Sequence, residues 1–175
     1  DFKLQRYEAA IEMYTALLKA FPRSKLGEGA LLFRAESGYR LGLQQKQARV
    51  ADKAAAWFDR AIADYEAFLK TYPESKSVPA AVTSLGFASY DREDYPKAAE
   101  AFGRVVREFG PKPGEEAADA RAEECQLYLA ECGYRQKKYD EAAKEYGRLL
   151  ELFPKGKFRA EARSGLAWCE YAAGK

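Results

Sequence analysis

The sequence predicts an all-α protein, an α-solenoid of antiparallel helix pairs, and three observations carry that reading. One phrase recurs four times: "QRYEAAIEMYTALLKAFPRSK", "AWFDRAIADYEAFLKTYPESK", "EDYPKAAEAFGRVVREFGPKP" and "KKYDEAAKEYGRLLELFPKGK". Between the phrases a second helical pattern recurs, as "AAVTSLGFASYDRE", "ECQLYLAECGYRQK" and "EARSGLAWCEYAAG". Each phrase also ends on an aromatic residue with a proline at or just past it. A unit of this kind cannot bury its apolar face alone and must stack on its neighbours.

Laid over one another, the four phrases give columns with physical meaning. One column reads Tyr7, Phe58, Tyr95, Tyr139, followed three residues on by Ala10, Ala61, Ala98, Ala142. Next come Tyr14, Tyr65, Phe102, Tyr146, and then Phe21, Tyr72, Phe109, Phe153. Spacings of three, four and seven place these side chains on one face of a helix. Proline follows the last aromatic directly at Pro22, Pro73 and Pro154, and one residue late at Pro111, so the helix stops there. The unbroken alanine column predicts a close approach by another helix, leaving no room for a larger side chain. The second pattern carries Leu and a small residue (Leu85-Gly86, Leu129-Ala130, Leu166-Ala167), then a tyrosine four residues on (Tyr90, Tyr134, Tyr171). Each unit therefore reads as helix, short turn, helix, stop.

These columns resemble the tetratricopeptide repeat (TPR), and the resemblance covers essentially the whole chain. It implies a right-handed superhelix whose first helices line a concave groove, and in that family the groove commonly binds an extended peptide or a helix of another protein. The alanines are spaced by 51, 37 and 44 residues, against a family repeat of about 34. The longer base unit, with "YP-x-S" before a helix rich in small residues, looks most like the repeats of bacterial envelope proteins, the Tol-Pal accessory protein and the outer-membrane assembly lipoprotein. That sub-family resemblance implies a bacterial periplasmic or outer-membrane-peripheral setting.

The spacings divide the chain into a partial unit 1–27, a unit 28–78, a unit 79–114, a unit 115–157 and the first helix of a further unit, 158–175. The excess over 37 is fourteen residues in one place and seven in another, and seven is close to two helical turns. An insertion of that size keeps the buried face aligned. The fourteen are expected to lengthen both arms of a hairpin projecting near 42–57, the seven to lengthen the helix that begins near Glu115. Both ends read as cut from a longer array. The last helix, with Leu166, Trp168, Cys169 and Tyr171, lacks the polar outer face of a terminal repeat; self-association through it is the alternative to continuation.

Lys and Arg number 29 against 27 Asp and Glu, with neither sign in a long block, so nucleic acid is not an expected partner. No apolar run approaches the roughly 18 residues of a membrane span. There is no histidine, which removes the commonest general base and metal ligand. No phosphate loop, nucleophile turn or zinc spacing occurs. The expected function is non-enzymatic, without cofactor or metal, and the expected partner is a protein or peptide.

Carried over by column, the groove positions are Leu32, Glu36, Tyr39 and Arg40, then Thr83, Phe87, Tyr90 and Asp91. They continue as Leu127, Glu131, Tyr134 and Arg135, and end with Ser164, Trp168 and Tyr171. Rings supply contact area at low entropy cost and charges set register, which suits peptide recognition. The competing reading makes the tyrosine column packing between adjacent first helices. Arg34 stands where leucine is expected, which makes this second unit the least regular. Cys125, Cys132 and Cys169 read as small buried residues: the first two are seven apart on one helix, roughly 10 Å along the axis, too far to bridge. Glu115-Glu116 suits a helix N-terminus, and neither it nor Glu123-Glu124 converges as metal ligands would. "KQARVADK" reads as a solvated face of the hairpin, a docking surface being the alternative. Two further functional classes stay open: a structural spacer or self-associating unit, and an accessory repeat region of a larger enzyme.

Overall fold

The computed structural model describes residues 2–22, 24–111 and 120–174, and the described residues hold eight α-helices and no strand. Two compact units divide the chain, Asp1–Glu93 and Asp94–Lys175. The first contains α1 (Phe2–Ala20), α2 (Gly27–Gln47), α3 (Ala51–Thr71) and α4 (Val78–Asp91). The second contains α5 (Tyr95–Phe109), α6 (Ala122–Arg135), α7 (Tyr139–Leu152) and α8 (Arg159–Ala172). In each unit every helix packs on the next, and the two first-type helices, α2 with α4 and α6 with α8, also touch. The stacking face of a repeat protein is thereby present twice.

The alanine column explains the closeness of these pairs. Ala61, Ala98 and Ala142 are fully buried, and glycines of the preceding helix face two of them. A methyl group on Gly38 would lie 3.6 Å from the Ala61 Cβ, and one on Gly133 would lie 3.2 Å from the Ala142 Cβ. Small residues on both sides let the helix axes approach, and the large aromatics one turn away, Tyr65, Phe102 and Tyr146, fill the space above and below.

The turns inside the pairs share one device. Arg49 after α2, Glu93 after α4 and Lys137 after α6 all adopt positive φ, 58°, 68° and 60°, and Gly174 after α8 does the same at 73°. A left-handed residue ends the helix and lets the chain reverse, with Val50 N–H donating to Gln45 O at 3.0 Å and Lys138 N–H to Gly133 O at 2.9 Å. Side chains at such φ carry a steric cost that glycine avoids. Lys137→Gly is therefore expected to raise the stability of the Asp94–Lys175 unit by about 0.5 kcal/mol, after the greater freedom of the unfolded chain is subtracted. A urea midpoint that falls instead would contradict this account.

The pair α2–α3 is the longest. Each helix has 21 residues, seven more than the 14 of α4, and the tip around residues 46–53 is exposed. Lys46 Nζ lies 2.9 Å from Asp91 Oδ1 at the end of α4, and Arg92 Nε lies 2.9 Å from Asp59 Oδ1 on α3. Lys46, near the tip, is thus tied to the end of α4. The expected start of a lengthened helix near Glu115 lies outside the described residues; α6 as described begins at Ala122 and has 14 residues.

The links between pairs use glutamates at the starts of first-type helices. Glu28 accepts from Ser75 Oγ at 2.5 Å, and Glu123 accepts from the Phe158 N–H at 2.9 Å. Each carboxylate reaches the loop that leads into the next first-type helix. Glu123 is therefore a structural clasp. All three cysteines are free and buried.

Candidate partner-binding faces

On the first unit, the exposed stripe of α2 and α4 is knitted by hydrogen bonds. Glu36 stands at its centre. Its Oε1 accepts from Arg40 Nε at 2.7 Å and its Oε2 from the Tyr65 hydroxyl at 3.0 Å. Tyr65 comes from α3 below and is fully buried, its hydroxyl included. Tyr39 donates to Asp91 Oδ2 at 2.8 Å and packs on the Phe58 ring at 5.9 Å between centroids. Asp91 thus receives Tyr39 and Lys46 together, joining α2 to α4.

Burial raises the Tyr39 and Tyr65 hydroxyls well above the ordinary phenol range, with Asp91 reinforcing the first and Glu36 the second. The hydrogen bond and charge of Glu36 hold the Arg40 guanidinium firmly protonated. Leu32, Phe87 and Tyr90 are half-buried. Thr83 is turned inward and its hydroxyl donates to Pro79 O at 2.8 Å, so it offers the face no polar group.

On the second unit the same arrangement recurs. Glu131 Oε1 accepts from Arg135 Nε at 3.1 Å and Oε2 from the Tyr146 hydroxyl at 2.8 Å, Tyr146 rising from α7. Leu127 packs against the core formed by Ala130, Ala142, Tyr146 and Leu149. Tyr134 leans on Tyr139 with ring centroids 5.4 Å apart. Ser164, Trp168 and Tyr171 on α8 are exposed, the last two at 57% and 76%, with their rings edge to face at 6.0 Å. Glu131, Tyr134, Tyr146, Gly165 and Trp168 line one open cleft of about 320 Å³. Burial and the Glu131 charge push the Cys132 thiol up to about 12, and burial with Glu131 and Glu170 also raises Cys169. Both stay neutral, unreactive thiols at ordinary pH.

Of the expected groove residues, hydrogen bonds join Glu36 to Arg40 and Tyr39 to Asp91 in one unit, and one cleft gathers Glu131, Tyr134 and Trp168 in the other. Reading the sequence missed Tyr65, Tyr146 and Gly165. A signal was there for the tyrosines. The hydroxyl is kept at Tyr65 and Tyr146, where the paired first helix carries Glu36 and Glu131, and absent at Phe102, where the first helix carries Phe87.

Helix pairs of one repeated design, with an alanine-glycine contact inside two of them and a ring-and-charge stripe on the first helices, define an α-helical repeat protein. The sequence model of the tetratricopeptide repeat family matches residues 1–57, 46–113, 83–157 and 134–175, which together span the chain. The chain belongs to the tetratricopeptide repeat family. Repeats of this family generally mediate protein–protein interaction and are in general not enzymatic. The match is to the family and does not reach the bacterial envelope subtype. A comparison with curated proteins finds no match. Among the described residues no helix is long and apolar enough to cross a membrane.

Proposed function

We propose that the chain is a protein-interaction module that holds an extended peptide or a helix of a partner against the first-helix faces, α2 with α4 and α6 with α8. The observation that carries this reading is the cleft on α6–α8, bounded by Glu131, Tyr134 and Trp168, all three of them groove positions by column. A rigid floor supports it, because Tyr146 beneath is buried and hydrogen-bonded to Glu131. Preformed aromatic anchors bind with little ordering cost.

The experiment compares partner capture from native extract by the parent chain and by a Phe87→Ala, Tyr90→Ala, Tyr134→Ala variant, after circular dichroism shows unchanged helicity and melting. The expected result is a defined partner retained by the parent and lost with the folded variant. Equal capture by both removes the groove reading. The 37-residue spacing and the "YP-x-S" phrase favour assembly or scaffolding in the bacterial envelope as the setting, and captured proteins from another compartment would count against it.

Exposed Trp168 and Tyr171 favour one second reading, self-association through α8. Its mark is a mass that rises with concentration and stays monomeric in a Trp168→Glu variant. A concentration-independent mass excludes it.

A further inference from the structure

The two units share the Arg–Glu–Tyr arrangement but differ in what surrounds it. In the first, the Tyr39 hydroxyl is consumed by Asp91. In the second, the column of Asp91 holds Ala172, which has nothing to accept with, and the Tyr134 hydroxyl has no hydrogen-bond partner among the described residues. Where the first unit has Ser84, the second has Gly165, and a methyl group there would run into the Tyr146 ring. The glycine therefore keeps the Tyr146 ring flush with the cleft floor, and Trp168 forms a half-exposed wall.

We infer that this cleft takes a cationic side chain, lysine or arginine, of the bound segment; the inference rests on the groove reading proposed above. Among the described residues, three aromatic rings and one carboxylate line the cleft, and no cation does. Ring faces attract cations through their quadrupoles, best when the ring is indole, as at Trp168. Glu131 accepts from Arg135 and from the Tyr146 hydroxyl, and a carboxylate offers about four lone-pair sites in all. Tyr134 can accept a further N–H through its hydroxyl.

The competing charge is Arg135, which neutralises Glu131 from outside the cleft. Its side chain is 52% exposed and the pair is four residues apart on one helix. Pairs of that kind are worth only about 0.3–0.5 kcal/mol, so a ligand cation in the cleft can share the carboxylate or displace the guanidinium. An anionic or purely apolar side chain would face Glu131 with no compensating donor.

The test follows the indole N–H resonance of Trp168, assigned by its loss in Trp168→Phe, while the full chain is titrated with N-acetyl-argininamide, N-acetyl-lysinamide and the neutral isostere N-acetyl-citrullinamide. Expected is a saturable shift with one or both cations and none with citrulline. Glu131→Gln, which keeps an acceptor for Tyr146, should weaken the cation by about tenfold. If that variant fails to fold, Trp168→Leu on the exposed wall serves in its place, read on the Tyr134 ring resonances. Binding of citrulline as tight as arginine, or no saturation with either cation, overturns the inference. Failure of the cations alongside partner capture that still depends on Tyr134 removes the cation assignment alone. Saturable cation binding alongside capture indifferent to the triple variant removes the groove reading and leaves the cleft a cation site.

Discussion

Replacing Phe58 by alanine is expected to lower the stability of the Asp1–Glu93 unit by about 3–5 kcal/mol. Phe58 is 1% exposed and sits in the middle of the α2–α3 pair. Gly42 of α2 lies directly over it: a methyl group on Gly42 would come within 2.5 Å of two ring carbons. The ring thus fills a space shaped by the absence of a side chain opposite, and its removal leaves a void that small neighbours such as Ala54 cannot close. At about 4–8 °C per kcal/mol for a unit of this size, the melting temperature should fall by more than about 12 °C. The Tyr39 ring, which rests on Phe58, should lose its fixed position in the same variant. A melting temperature within about 3 °C of the parent would show that the site collapses freely, and the packing account would be wrong.

The second large effect concerns Arg34 and Asp64. Arg34 stands where the repeat pattern expects leucine, and Asp64 on α3 meets it with two contacts, Nε to Oδ2 at 2.8 Å and Nη2 to Oδ1 at 2.5 Å. A third contact reaches Thr15 Oγ1 on α1 at 3.4 Å. The side chains are only 23% and 19% exposed. Asp64→Ala leaves a guanidinium half-buried without its carboxylate and should cost about 2 kcal/mol, below the 3–5 kcal/mol range of fully buried pairs because solvent still reaches both groups. Arg34→Leu with Asp64→Leu should recover most of that loss, since an apolar pair of similar volume has no charge to desolvate. Urea unfolding of the parent, the single and the double variant measures the cycle. A double variant less stable than Asp64→Ala would sink the argument.

The helices were legible because their signals are local. Spacings of three, four and seven residues place an apolar stripe, and proline after Phe21, Tyr72 and Phe153 ends it, whatever the chain later packs against. The alanine column was equally legible, because a position restricted to Ala10, Ala61, Ala98 and Ala142 has few explanations besides close approach. Side-chain partners were not. Asp64 lies thirty residues from Arg34 and Asp91 fifty-two from Tyr39, and periodicity carries no information about which charge meets which across a helix pair. The left-handed residues Arg49, Glu93 and Lys137 escaped notice for a related reason: none is the glycine that normally marks such a turn.

By itself, then, the sequence determined an all-α repeat protein of the tetratricopeptide kind, since repeated composition at a fixed helical period admits no other economical way to bury so many rings. Tertiary structure alone decided what the groove residues do. It turned Thr83 inward, bound Tyr39 to Asp91, and brought Tyr146 up from α7 to Glu131. It also left Tyr134 and Trp168 open over a cleft that Gly165 keeps clear. The physical reason is one of range: the period of a helix is set by hydrogen bonds between near neighbours, whereas a binding face is set by which distant side chains have already found a partner.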